Sequence, residues 1–248
     1  MRTTRRKFLT FAGGTAAGLV LAPRLPRLGA LPASAQAIPG APAFTGNVST
    51  TSLGPVSLNA GVTVVRAQFN GTTNFSASMI LPQPGTRPSD AAPATGGFFA
   101  LFNQIGAFKG AAAALVGVPG SYYFQIGSTG AFQLSVEQPL PESVTPAQQT
   151  SFTGKGPDVT PYFTLPAGIS QISMQTSSKF LVATLYHLDD LGGSPLVAGV
   201  QGHDGSIFDF RDPSNQPVVP ITLADGGPYV FAVTNDINSQ STWSVSFA

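Results

Sequence analysis

Phe152 to Ile172 reads F-T-G-K-G-P-D-V-T-P-Y-F-T-L-P-A-G-I-S-Q-I, and a divergent copy begins at Phe44 with F-T-G-N-V-S-T-T-S-L-G-P-V-S-L-N-A-G-V-T-V-V. Phe152 follows Phe44 by 108 residues. Leu165 follows Leu58, and Gly168 follows Gly61, by 107. A spacing held this closely marks an internal repeat. The matched positions are glycines, prolines and apolar residues, so the repeat preserves a core and its turns.

Working outward, each copy alternates. Val65, Ala67 and Phe69 share one face of an extended run, as do Phe75, Ala77 and Met79, then Tyr122, Phe124 and Ile126, then Phe132, Leu134 and Val136. A period of two argues half-buried strands. The last two runs, joined by Gly-Ser-Thr-Gly at 127–130, read as a hairpin. In the second copy Tyr229, Phe231 and Val233 repeat the Tyr122 run at an offset of 107. Trp243, Val245 and Phe247 repeat the Phe132 run at 111, and Phe180, Val182 and Thr184 are aligned with the Phe75 run at 105. Ala111 to Leu115 is the one stretch of the body that favours a helical turn.

Seven or eight short strands per copy, punctuated by turn residues, predict two tandem antiparallel β-sandwiches. The boundaries are 44–139 and 152–248. A Pro/Ala/Gly leader precedes them at 36–43, and a polar linker, Leu140 to Ser151, joins the two copies, the first of which is expected to survive unfolding of the second if that linker joins independent cores. No segment repeats at 3.6 residues, which excludes a helical bundle, and no crossover helix exists for a parallel sheet.

The 248 residues are 42% apolar and only 9% charged, with 28 Gly, 22 Pro, 18 Phe and no Cys. Disulfides, thiolate metal sites and a lipidated cysteine are excluded. Six of the twelve basic residues precede residue 36 and all eleven acids follow it, so the remainder carries −5. A mildly acidic body lacks the electrostatic footprint for nucleic acid.

The basic residues at the start belong to a pattern. Thr3 to Leu9 reads T-T-R-R-K-F-L, followed by an apolar stretch to Ala22 and by Ala33-Ser34-Ala35. The paired Arg5 and Arg6 with Phe8 and Leu9 resemble a twin-arginine export signal, with cleavage read at Ala33 and Ala35 and Ala35-Gln36-Ala37 as a second choice. The resemblance implies a folded cargo that meets the membrane only in transit and ends in the periplasm, at the cell surface or outside the cell.

A second resemblance covers both copies. L-P-A-G-I, K-F-L-V-A-T-L-Y and the closing G-G-P-Y-V-F-A-V…W-S-V-S-F are similar to bacterial pre-peptidase C-terminal domains and related jelly-roll modules. The resemblance implies a non-catalytic module attached to secreted enzymes or surface proteins, although no peptidase domain accompanies it here.

Candidate chemistry is sparse. His187 precedes Asp189-Asp190 and His203 abuts Asp204, but no G-x-S-x-G elbow supplies a nucleophile. Asp204, Asp209, Asp212 and Asn215 fall within twelve residues and carry the oxygen ligands calcium takes, without EF-hand spacing. The plainer reading of the same residues is as turn formers and solubilising acids. Trp243 alternates with core residues and is read as buried. Tyr123 and Tyr162 are the aromatic side chains expected at the surface, where a ring can stack on a ligand.

Two functions follow. One is an exported non-catalytic protein, structural, adhesive or binding, with a protein, glycan or cell-wall component as partner and no cofactor. The alternative is an exported hydrolase using His203 and the acidic loop of the second copy.

Overall fold

The computed structural model describes residues 43–46, 50–85, 93–177, 181–188, 218–235 and 241–248. Those residues form strands, turns and one short 3-10 turn, Pro141–Ser143, with no α-helix. The strands of the first copy are β1 (Ala43–Gly46), β2 (Thr50–Leu58), β3 (Gly61–Phe69), β4 (Asn74–Pro82), β5 (Pro93–Ile105), β6 (Phe108–Val116), β7 (Gly120–Gly127) and β8 (Phe132–Glu137). They build sheet A, in the order β1-β8-β3-β6, and sheet B, in the order β2-β7-β4-β5.

The second copy repeats this plan. Its strands are β9 (Ser151–Lys155), β10 (Asp158–Val159), β11 (Phe163–Leu165), β12 (Gly168–Thr176), β13 (Leu181–His187), β14 (Val219–Leu223), β15 (Gly227–Asn235) and β16 (Thr242–Phe247). Sheet D runs β9-β16-β12-β14, which is the order of sheet A. In sheet C, β15 pairs with β10 and β11 on one side and with β13 on the other, matching β7 between β2 and β4. Every ladder is antiparallel. The duplication therefore extends to strand order and register: Phe44 pairs with Leu134, and Phe152 with Val245.

The alternation explains the two cores. Phe69, Phe75, Tyr122, Phe124 and Phe132 fill the space between sheets A and B. Phe163, Tyr229, Phe231, Trp243 and Phe247 fill that between C and D. Phe132 and Trp243 are 2% and 4% exposed and occupy equivalent places. Each lies over a glycine on the neighbouring strand, Phe132 on Gly46 and Trp243 on Gly154, where a Cβ would overlap the ring. Gly61 and Gly168 open β3 and β12 with φ of 129° and 116°, a region that favours glycine. This is why both survive in the repeat.

Three expectations are corrected. Ala111 to Leu115 is extended, within β6, because its small side chains pack on both faces of sheet A. The Tyr122 and Phe132 runs are not a hairpin: β7 belongs to sheet B and β8 to sheet A, and residues 128–131 cross between layers. The Phe75 strand aligns with β13 at 106, not 105, since Ala77 faces Ile126 and Ala183 faces Val233. A one-residue slip exchanges the faces, and it is Ala183 and Leu185 that enter the core.

The two copies are also packed on one another. A third apolar cluster joins the copies. From sheet A come Val62, Val64, Ala111 and Leu115, on the face opposite the first core. From the second copy come Val159, Tyr162, Tyr186, Leu188, Val230 and Ala232. The layers thus stack B, A, C, D. Strands β3 and β15 are covered on both faces, which accounts for the unbroken apolar run Y-V-F-A-V and for V-T-V-V, where the one polar residue, Thr63, is itself buried. The connecting segment takes part: Val144 packs on the cluster and Ala147 donates its N–H to the Tyr162 carbonyl at 2.6 Å.

Candidate functional site

Where the charged side chains fall defines the candidate sites. No strand of sheet B carries Asp, Glu, Lys or Arg, and sheet D carries only Lys155. The strands of sheets A and C supply Arg66, Lys109, Glu137 and Asp158, all at the seam. The arrangement inverts the usual one, in which charge sits outermost.

At the seam, Arg66 on β3 donates Nε and Nη2 to Glu137 Oε1 on β8, at 3.1 and 2.9 Å. The Glu137 side chain is 4% exposed. The guanidinium against it offsets the cost of burying a carboxylate this deep. Asp158 lies in the same field. Burial pushes its carboxyl up to about 6, against the Val159 N–H and the positive charges of Arg66 and Lys109, which pull it down. The Val159 N–H donates to Asp158 Oδ1 at 2.9 Å. Burial raises the Tyr162 phenol well above its ordinary range. The negative charge of Glu137 raises it further, and Arg66 opposes both. Tyr186 crosses the seam, its hydroxyl donating to the Ala113 carbonyl at 3.3 Å, and burial pushes it up to about 12. A backbone bond crosses as well, from Ala111 N–H to the Pro157 carbonyl at 3.1 Å. These groups are engaged with one another, and the arrangement locks two sheets together.

Tyr162 is therefore not a surface platform. It is 8% exposed and belongs to the seam, because the chain enters β11 from the side facing sheet A. Tyr123 is half-buried on the outer face of sheet B, opposite Ile80 of β4. His187 is 8% exposed, with its ring 4.6 Å from that of Tyr229, inside the second sandwich. His203, Asp204, Asp209, Asp212 and Asn215 lie outside the described residues, as do Arg5, Arg6, Phe8, Leu9, Ala33 and Ala35. Among the described residues no group of three His, Asp or Glu is placed to hold a metal ion. No helix among them is long and apolar enough to cross a membrane. An open hollow of about 410 Å3 at one end of sheet A is lined by Thr45, Gly46, Asn70, Ala131, Phe132 and Gln133, none of them titratable.

The exposed face of sheet D is a ladder of hydroxyls and amides. Ser151, Ser246 and Ser173 form one row across three strands, and Thr153, Ser244 and Gln175 the next. Each of these side chains both donates and accepts hydrogen bonds. The sequence contained this signal in the alternate positions of S-F-T and W-S-V-S-F, whose polar members were passed over in favour of the apolar ones.

No family model matches the chain, and no curated protein matches it. Among solved structures, one titled "Crystal structure of PBSX exported protein XepA" is similar over 84% of each chain, with 8% identity and a TM-score of 0.24. A score of that size does not establish a shared fold.

Proposed function

We propose that this is an exported, non-catalytic structural or adhesive protein that acts through the outer faces of its stacked sheets. The observation that carries the proposal is the distribution of charge. The charged groups of sheets A and C lie at the seam, while sheet B carries none and sheet D only Lys155, and their outer faces present Ser, Gln, Asn and Thr beside the apolar Tyr123 and Ile169. Faces of this kind suit a neutral partner, a protein surface or a hydroxyl-rich glycan of the cell wall, because no buried charge has to be desolvated on contact. The Arg5-Arg6 signal supports export, and a cargo that folds before crossing suits a chain whose two halves dock on one another.

Cell fractionation tests both parts. The chain is expected outside the cytoplasm with its N-terminus at Gln36 or Ile38, and Arg5→Lys with Arg6→Lys is expected to keep it inside. Ser246→Glu, which places a charge at the centre of the sheet D face, is expected to lower retention of the exported protein at the cell surface. Retention unchanged by that charge, or full-length chain outside the cell, contradicts the proposal.

A further inference from the structure

The duplication makes the four sheet faces comparable position by position. Sheet A docks on sheet C at the seam. Sheet D is the counterpart of A, and sheet B the counterpart of C, so each molecule keeps one face of each kind outside the seam. Ile169 pairs with Thr222 as Val62 pairs with Leu115, which makes Ile169 the counterpart of Val62 and Val218 that of Ala111. Val62 and Ala111 are 1% and 0% exposed inside the seam, whereas Ile169 and Val218 are 79% and 44% exposed. Ile169 is the most exposed large apolar side chain among the described residues, and both stand where the docked copy keeps its contacts.

On sheet B the register corresponds as well, although Ile80, the counterpart of Tyr186, is 1% exposed, so the open part of that face lies around Ser52 and Gln125. Ile80 pairs with Tyr123 as Tyr186 pairs with Val230, and Ser52 pairs with Gln125 as Val159 pairs with Ala232. Tyr123 thus occupies the place of a seam residue, and the face around it carries no charge.

We infer that sheet D of one molecule docks on sheet B of a second copy, repeating between molecules the A-on-C contact made within one. This rests on the reading of the outer sheets as binding faces and names their partner. The two faces are unlike, so the contact is head-to-tail and leaves a free D face and a free B face at the ends, from which a filament grows. Gln171 and Thr222 stand where the seam has Val64 and Leu115, so the contact between molecules is weaker than the seam and reversible. No strand of sheet B carries a charged side chain and sheet D carries only Lys155, so no like-charge repulsion opposes the contact.

The experiment is sedimentation velocity of the purified mature chain over a hundredfold concentration range, with Ile169→Lys and Ser52→Lys as exposed, fold-neutral blocks of the D and B faces. The wild type is expected to shift to ever larger species as concentration rises. Each variant alone is expected to stay monomeric, and an equimolar mixture to stop at pairs, because one intact face of each kind remains. A wild type that is monomeric throughout overturns the inference, including one that stays monomeric and cosediments with a neutral polysaccharide. So does Ser52→Lys protein that still dimerises, which indicates a closed contact between two D faces. If the chain stays monomeric while Ser246→Glu still abolishes surface retention, the outer faces remain binding surfaces with a different partner. If both fail, the reading of the faces fails as well.

Discussion

Tyr122 and Tyr229 hold the same bond in the two sandwiches, each hydroxyl donating to the carbonyl four residues upstream, Val118 at 2.8 Å and Asp225 at 2.5 Å. Both rings are fully buried, and burial raises the Tyr122 phenol above its ordinary range. The bond ties the turn before β7, and before β15, to the core beneath it. Tyr122→Phe and Tyr229→Phe are each expected to cost about 1 kcal/mol, the usual net worth of such a bond. Chemical denaturation of the two variants is expected to give losses that agree, because the two environments are copies.

Glycine under an aromatic ring makes a sharper test. A Cβ at Gly154 would overlap the Trp243 indole, whose Nε1 also donates to the Gly156 carbonyl at 3.0 Å. At Gly46 the contact would be 2.7 Å from Phe132 Cζ, an atom at the end of a smaller ring. Gly154→Ala is therefore expected to destabilise by roughly 1–3 kcal/mol, the range for overpacking, and Gly46→Ala by less. Thermal melts that rank the two in the opposite order count against the packing described.

Asp158 gives the protein a pH dependence of known sign. Its carboxyl titrates at about 6 in the folded chain, above its ordinary value of 3.8. The folded state therefore binds the proton more tightly, and the associated stability is present below pH 4 and lost as pH rises through about 6. The full shift corresponds to at most about 3 kcal/mol, since part of the residue stays in solvent. Asp158→Asn keeps the oxygen that accepts from Val159 and removes the charge. Its melting temperature relative to wild type is expected to rise between pH 4 and pH 7, and a difference independent of pH would contradict the assignment.

Much of this architecture was legible in the residues, and the limits have physical causes. Alternation placed Val65, Ala67, Phe69, Tyr122 and Trp243 in cores, because a strand with one wet face must alternate. It failed at Ala111–Leu115, where the seam dries the second face as well and no polar position remains to set the period. Alternation also states which face a residue takes but not which sheet, so β7 and β8 were paired across a turn that in fact changes layers. Tyr162 was expected at the surface, and nothing local marks sheet A of the first sandwich, which covers it. The ion pair of Arg66 and Glu137 joins residues 71 apart on strands of one sheet, and only register brings them together.

The central claim is that two duplicated sandwiches are joined into one unit by the A-on-C seam. Differential scanning calorimetry of the mature chain beside its Val64→Lys variant tests it most directly. Val64 is 0% exposed and faces away from the first core, so a lysine there wets the seam and leaves both sandwich cores filled. The account predicts a single transition for the wild type, with calorimetric and van't Hoff enthalpies equal, and two separate transitions at lower temperature for the variant. Two transitions in the wild type, unchanged by the substitution, would contradict it.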